Sequence, residues 1–270
     1  MNWIIEKNEN LEIVNQLSKD LNIDTTLSSM LVNRGINSFD QARGFFRPSI
    51  EMLHDPFLMK DMSIAVDRIL VAIKNKESIM IFGDYDVDGT SSVALLSMYL
   101  KSKGCEIVSY FPDRNLEGYG ISVKAIDLAS QNNQKLIIAL DCGIKAHNQV
   151  NYALEKEINF IICDHHNPEE FIPKALAILN PKRKDCSYPF KELCGCGVGF
   201  KLIQALELKI NNKIDDIINY LDLVAIAIAA DIVPLIGENR VLAHIGIQII
   251  NSNPRVGLYS LFKNRDKKEF

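Results

Sequence analysis

Three short apolar segments of this sequence are each followed within two residues by an acidic residue. They are residues 79–82, 136–140 and 160–163. Each is a continuous apolar run, which is typical of strands buried on both faces of a parallel sheet. Helical patterns separate the three runs along the chain. The sequence therefore predicts an α/β fold, a parallel β-sheet with helices on both faces.

The segments on either side of this region have a different character. Residues 1–60 predict short helices and contain no cluster of chemically active side chains. Residues 61–255 contain the alternating apolar runs and helices, and we expect them to form one domain. Residues 256–270 end in polar and charged side chains and look like the start of a truncated linker or tail.

Composition excludes several classes of protein. Lys and Arg number 30 and Asp and Glu number 34, so the net charge of −4 does not indicate a nucleic-acid binder, and DNA contact would need a local basic groove. No apolar run reaches the ~18 residues that span a bilayer. The N-terminus lacks the apolar core of a signal peptide. Six cysteines are too sparse for a disulfide scaffold, so we expect a cytoplasmic protein.

The acidic residues after the three runs predict a metal site. They are Asp84, Asp86 and Asp88 after the first, Asp141 after the second, and Asp164 followed by His165 and His166 after the third. Ligand sites in parallel sheets lie beyond the carboxyl ends of the strands, so these side chains should converge. Clustered carboxylates repel one another, and a divalent cation would relieve that repulsion. The ligand types suit Mn²⁺ or Mg²⁺, and two ions could clamp a phosphate.

Simpler explanations exist for parts of this pattern. One acid at a strand end often only caps the next helix, although three strand ends with a histidine pair make that explanation weaker. The start of the first motif resembles a calcium loop, but Leu95 stands where that loop needs Glu. It also resembles the nucleophile loop of haloacid-dehalogenase-like phosphatases, which would leave Asp141 and the histidine pair unexplained. Cys186, Cys194 and Cys196 lack the spacing of a zinc site, so we expect buried thiols.

Four ordered motifs resemble those of the DHH superfamily of phosphoesterases. They read GDYDVDGT at residues 83–90, LDCG at 140–143, DHHNP at 164–168 and ADIVPL at 230–235. Further stretches, at residues 54–57, 111–114, 117–122 and 194–201, are similar to those of RecJ-type single-strand DNA exonucleases. The resemblance covers nearly the whole chain.

The resemblance implies a role for each motif residue. The implied metal ligands are Asp84, Asp86, Asp141, His165 and Asp231. His166 would face the phosphate and stabilise charge in the transition state, Asp164 would orient the histidine pair, and Asp88 would support the ligands. Asp222 competes with Asp231 for the ligand position of the fourth motif, and its place in the motif favours Asp231.

Substrate contacts are implied at four positions. Arg114, Ser122 and Lys201 lie in RecJ-like stretches and are expected to contact phosphate. Gly197 lies among glycines before a predicted helix, where backbone amides could cradle an anion. A close contact between that helix and the sheet would require the same small residues, and both explanations remain open.

The activity implied by the resemblance is 5′-to-3′ exonucleolytic cleavage of single-stranded DNA, in DNA repair and recombination. Helicases and single-strand-binding proteins would be partners by family inference. RecJ-type enzymes are longer, with a DHH-associated domain and commonly an OB-fold after the catalytic core. Two alternatives remain: a DHH phosphodiesterase acting on short oligonucleotides or cyclic dinucleotides, and a non-catalytic RecJ-like replication scaffold.

Overall fold

A computed structural model of the chain describes residues 10–210 and 213–263. The first nine residues and the last seven, which end the predicted tail, lie outside the described residues. The chain divides into two compact units, Met1–Met52 and Leu53–Phe270. Within the described ranges, no helix is both apolar enough and long enough to cross a membrane.

The described residues of the first unit form three helices, which confirms the predicted helical N-terminal segment. They are α1 (Leu11–Leu21), α2 (Thr25–Val32) and α3 (Phe39–Phe46), followed by a 3-10 turn at Ile50–Met52. The side chains of Asp24 and Ser38 accept hydrogen bonds from backbone amides at the starts of α2 and α3. Val14, Leu17, Leu31 and other apolar side chains form the small core of this unit.

The second unit alternates strands and helices and then becomes helical. Its first part runs α4 (Met62–Asn75), β1 (Ile79–Gly83), α5 (Val87–Ser102), β2 (Ile107–Tyr110), α6 (Val123–Gln131), β3 (Leu136–Leu140), α7 (His147–Glu155), β4 (Asn159–Cys163) and β5 (Ala177–Leu179). It ends with α8 (Gly195–Lys209), α9 (Leu221–Asp231), α10 (Gly237–Ser252) and α11 (Val256–Lys263). Short 3-10 helices lie at Pro56–Leu58 and Ile214–Tyr220.

All pairings within the five-stranded sheet are parallel, and the strand order is β2-β1-β3-β4-β5. This confirms the predicted α/β class. After β1 the chain adds β2 on one side and then places β3 on the other side of β1. The gap between β1 and β3 is therefore the topological switch point, where open α/β sheets bind their ligands.

Four strands of the sheet, β1, β3, β4 and β5, are buried on both faces, as their continuous apolar sequences predict, whereas β2 at the edge is only partly buried. Met80, Phe82, Ile137 and other side chains of one face pack with residues of α6 and α7. Alternate residues such as Ile81 and Ile138 are fully buried on the opposite face, where α5 and α8 contact the sheet. Burial on both faces holds the strand ends rigidly in place.

Close packing of α10 on α9 depends on Gly246. A Cβ atom at this position would lie only 2.1 Å from the backbone oxygen of Leu221, which no repacking of a side chain can relieve. The contact fixes α9, whose last residue is Asp231. The backbone of Ile232 turns into the left-handed region, with φ of 57°, and ends the helix there.

We expect Gly246→Ala to lower the free energy of unfolding by about 1–3 kcal/mol, because the added methyl group must push α9 and α10 apart. Urea unfolding followed by circular dichroism measures this loss. The control is Gly257→Ala in α11, where a Cβ atom meets nothing within 4 Å. The free energy of unfolding of this control should be unchanged or higher by up to about 1 kcal/mol. Equal losses in both variants would contradict the close-packing argument.

Candidate metal centre

The three acidic strand ends lie at the same level of the sheet. Gly83 pairs with Leu140, and Leu140 pairs with Cys163. The next residue along each strand is the acid of its motif, so Asp84, Asp141 and Asp164 follow in register. The convergence expected from the sequence is therefore built by strand pairing.

Potential ligand atoms at this edge form two adjacent groups, within each of which they lie no more than 4.8 Å apart. One group is Asp84, Asp86 and Asp141, and the other is Asp88, His165 and Asp231. His165 Nε2 lies 3.1 Å from Asp141 Oδ1 and therefore joins the groups. A third combination, Asp141, His165 and His166, overlaps both. The geometry offers neighbouring positions for divalent cations.

The first motif forms a tight loop between β1 and α5. Asp84 Oδ1 accepts a hydrogen bond from the Tyr85 amide at 2.8 Å. Asp86 Oδ1 accepts one from Gly89 at 2.8 Å and so caps α5. A Cβ atom on Gly89 would lie 2.4 Å from the backbone oxygen of Asp84, which explains the glycine. Capping and ligand placement are therefore compatible at Asp86.

Asp88 connects this loop to the start of α8. Its two carboxylate oxygens accept hydrogen bonds from the Gly195 and Cys196 amides, at 2.6 and 2.7 Å. These amides are the positive end of the helix dipole. Asp88 Oδ2 also lies 3.8 Å from His165 Nε2. Asp88 therefore joins α8 to the acidic cluster.

The anion at the start of α8 is the chain's own carboxylate. The Gly197 amide donates to Cys194 Sγ at 3.3 Å, and the residue is buried. The structure therefore does not support Gly197 as a substrate contact, because Asp88 and Cys194 already satisfy the amides of this turn. Glycine is instead required at position 195, because a Cβ atom there would lie 2.6 Å from Asp141 Oδ1.

Two polar atoms at the middle of the cluster are buried without a hydrogen-bond partner among the described residues. They are Asp141 Oδ1 and His165 Nδ1. The short Asp141–His165 contact lacks hydrogen-bond geometry, although its two atoms are close. Buried polar atoms are nearly always satisfied in folded proteins, so these two mark a missing partner. Oxygen and imidazole nitrogen donors facing each other fit a divalent cation.

Burial sets the protonation of these groups in the absence of a cation. Burial, and then the nearby charges of Asp88 and Asp86, raise the pKa of Asp141 to about 10. Burial also raises the pKa of Asp88 and of Asp84, and it lowers the pKa of His165. A divalent cation would reverse the shifts of the carboxylates, because it favours their charged form, and like burial it would favour the neutral imidazole of His165.

Asp164 orients both histidines instead of facing the cluster. Its Oδ1 accepts hydrogen bonds from the His165 and His166 amides and from His166 Nδ1, and its Oδ2 accepts one from Ile144. Burial raises its pKa, but the hydrogen bonds from His166 outweigh burial and leave the pKa low. The bond to Asp164 in turn raises the pKa of His166 to about 9. His166 Nε2 lies 3.5 Å from the Tyr119 hydroxyl.

The two candidates of the fourth motif have different surroundings. Asp231 Oδ2 lies 3.7 Å from His165 Nδ1, at the edge of the cluster. Asp222 is buried, accepts a hydrogen bond from the Leu223 amide and forms an ion pair with Arg255. The structure therefore brings Asp231 to the cluster and gives Asp222 a structural partner.

The remaining predicted substrate contacts have different positions. Lys201 is fully buried and donates to the backbone oxygen of His54 and to Glu238, which leaves it no access to a substrate. Ser122 caps α6 through a hydrogen bond from the Ala125 amide and is buried. The structure supports neither as a phosphate contact. Arg114 is exposed and lies over the ring of Tyr85, 5.3 Å from its centroid, beside the acidic loop.

Sequence reasoning missed the role of Tyr119 in the centre. Tyr119 contacts His166, and its ring packs edge to face against Tyr85. Its glycine neighbours, Gly118 and Gly120, both have φ of +82°, so the two glycines were a signal of an unusual loop.

None of the possible ligand groups among the described residues includes a cysteine, and Cys186, Cys194 and Cys196 are buried thiols, as predicted.

Comparisons with known proteins agree with the motifs. Residues 78–228 match the family described as "DHH family, N-terminal domain". The chain is 39% identical over 263 residues to the single-stranded-DNA-specific exonuclease RecJ of Bacillus subtilis, an alignment that covers 97% of this chain and 33% of that protein.

Two solved structures share the fold. A crystal structure of exonuclease RecJ bound to manganese has a TM-score of 0.70 at 30% identity and covers 78% of this chain and 52% of that one. RecJ from Thermus thermophilus in complex with Mn²⁺ has a TM-score of 0.79 at 25% identity and covers 94% of this chain and 35% of that one. The chain thus spans 33% to 52% of the length of these three relatives.

The metal-free chain should lose stability as the pH rises. The folded-state pKa of Asp141 is about 10, above its usual 3.8, so the folded chain keeps a proton that the unfolded chain has released. The free energy of unfolding should therefore fall as the pH rises from about 4 towards about 10. Asp141→Asn should flatten this fall. Thermal melts in a chelator measure both proteins, and an equally steep fall in the variant would contradict the assignment.

Gly195→Ala should disturb the centre because its Cβ atom would meet Asp141. We expect its affinity for Mn²⁺ to fall by about 10- to 100-fold, the loss typical of disturbing groups that position metal ligands. Isothermal titration calorimetry measures this change. Gly199→Ala, on the same helix, would place its Cβ atom at an ordinary 3.5 Å from Leu140 and should bind normally. Unchanged affinity in Gly195→Ala would refute the role of the close approach.

Proposed function

The chain belongs to the DHH family, and from this premise we propose that its acidic centre is a divalent-metal site that hydrolyses phosphodiester bonds in single-stranded DNA. The observation that carries the proposal is the pair of ligand groups that meet where His165 Nε2 lies 3.1 Å from Asp141 Oδ1. Asp141 Oδ1 and His165 Nδ1 are both buried and have no hydrogen-bond partner among the described residues. The Bacillus subtilis protein that the chain resembles is named as a single-stranded-DNA-specific exonuclease.

We assign five residues as metal ligands: Asp84, Asp86, Asp141, His165 and Asp231. Asp88 supports them, because the α8 amides hold its carboxylate against His165. Mixed carboxylate and imidazole donors suit Mn²⁺ or Mg²⁺. Two similar structures are described as manganese complexes. The two ligand groups favour two ions.

Bound ions would supply Lewis-acid chemistry that activates water and neutralises phosphate charge. The chain's own residues have the task of positioning. Asp164 fixes the ring of His166 through Nδ1 and leaves Nε2 directed towards Tyr119 and the open side of the centre. From there His166 can donate a hydrogen bond to a phosphate oxygen as negative charge develops in the transition state.

Arg114 is the proposed contact to a neighbouring phosphate. It is exposed and rests on Tyr85, the residue after the ligand Asp84. The net charge of the chain is −4, so attraction of a polyanion depends on such local cations. Lys201 cannot contribute because it is fully buried against Glu238.

Finer statements follow from the resemblance to RecJ. We propose cleavage in the 5′-to-3′ direction, a role in DNA repair and recombination, and a cytoplasmic location. Helicases and single-strand-binding proteins are the proposed partners. We assign residues 61–255 to the DHH phosphoesterase domain.

The test is hydrolysis by the purified chain with Mn²⁺. Its substrates are 5′-phosphorylated single-stranded DNA, the matching duplex and a dinucleotide. We expect the single strand to be degraded, and the rate in Asp141→Ala to fall by about a hundredfold or more, as for loss of transition-state charge stabilisation. The matched control is Asp67→Ala, which removes an exposed carboxylate that is 3.7 Å from Lys209. It should keep full activity.

Other outcomes would favour the alternatives. Cleavage of the dinucleotide alone would indicate a phosphodiesterase for short substrates. Tight Mn²⁺ binding without hydrolysis of any substrate would indicate a scaffold that keeps its metal site. Equal activity of Asp141→Ala and the unchanged chain would refute the assigned centre.

A further inference from the structure

A pocket lies on the side of His166 that faces α7. Its volume is about 260 Å³. Its walls include Tyr119, Ile121, Ile144, Lys145, Ala146 and Gln149. Asp164 and His166 also line it, so the pocket shares a wall with the metal centre. None of the six wall residues is among the proposed ligands.

The walls of the pocket suit a flat aromatic ligand. The side chains of Ile121 and Ile144 are buried and present aliphatic surface. Tyr119 is 62% exposed, so part of its ring is available for stacking. Gly143 allows the Ile121 side chain to pack this closely, because a Cβ atom on residue 143 would lie 3.0 Å from it. Stacking on an aromatic side chain is a sequence-tolerant way to hold a nucleobase.

Polar groups at the rim match the rest of a nucleotide. The amide of Gln149 offers both a donor and an acceptor, as the edge of a base requires. The ammonium group of Lys145 lies 3.8 Å from Glu169, and both side chains are more than half exposed. Such a surface pair is weak, so Lys145 can turn towards a phosphate.

The size and place of the pocket limit the ligand to one nucleotide. Its volume is just below the ~300–1,000 Å³ of pockets for drug-sized ligands. Because His166 lines the pocket and also lies beside the acidic cluster, a nucleoside in the pocket would leave an adjoining phosphate at the metal centre. A longer strand would have to lie outside it.

We propose that this pocket binds the nucleoside next to the scissile phosphate, with the base against Tyr119 and Ile144 and its edge at Gln149. The proposal rests on the proposed function and deepens it, because it names the element that reads one nucleotide of the substrate. It makes the base, as well as the phosphate, part of recognition.

Binding of small probes tests the pocket without any need for hydrolysis. 2′-Deoxyadenosine 5′-monophosphate and 2-deoxyribose 5-phosphate are titrated into the Mn²⁺-loaded chain by calorimetry. We expect the nucleotide to bind about ten- to a hundredfold more tightly, the range of one base-stacking contact. Ala146→Trp, which fills the pocket, should abolish this difference and leave Mn²⁺ affinity unchanged.

The matched control is Asn148→Trp, an exposed position of α7 that does not line the pocket. It should keep the preference for the nucleotide. Gln149→Trp is the second filling variant if Ala146→Trp does not fold. Equal binding of the two probes to the unchanged chain, or a preference that survives pocket filling, would overturn the proposal.

A cleavage experiment separates this proposal from the proposed function. The substrates are single strands whose terminal nucleotide either carries a base or is abasic. Slower cleavage of the abasic strand, with the difference lost in Ala146→Trp, supports the pocket. Equal cleavage of both strands would keep the nuclease and remove the pocket. Base-dependent binding of the probe without cleavage of any DNA would keep the pocket and remove the nuclease.

Discussion

Carboxylates that end neighbouring parallel strands repel one another, and much of the second unit is arranged to hold them together. Strand register places Asp84 and Asp141 side by side at the switch point of the sheet. Neither residue can move away, since both strands are buried on both faces. The α8 amides hold Asp88 in the same place, and the burial of these groups raises their pKa values. The fold thus accepts an unfavourable charge distribution that a divalent cation corrects.

Elements with a local cause were predictable from the sequence. Continuous apolar runs predicted the buried strands, and the residues after them predicted the acidic cluster, because strand ends share an edge. Contacts between distant segments were not predictable. Nothing near Lys201 shows that Glu238 will pair with it, and nothing near Gly197 shows that Asp88 will occupy the amides of that helix turn. The ion pair that gives Asp222 a structural role likewise depends on Arg255, which lies 33 residues beyond it.

Some side chains of the proposed centre both hold a loop in place and contribute to the site. Asp164 accepts hydrogen bonds from backbone amides and from the ring of His166, so that ring keeps one orientation. Asp86 caps a helix and remains within reach of Asp84 and Asp141. Because one hydrogen bond fixes a side chain and leaves its other atoms free, the same residues build the loop and form the site.

The bonds from Asp88 to the amides of residues 195 and 196 span more than a hundred residues of chain. Asp231, the last member of the cluster, lies still further on. During synthesis, a ribosome-bound chain that has released only its sheet has the acidic loops but lacks both the support of α8 and this final carboxylate. The centre is therefore complete only after residue 231 has been synthesised and α8 has folded onto the acidic loop.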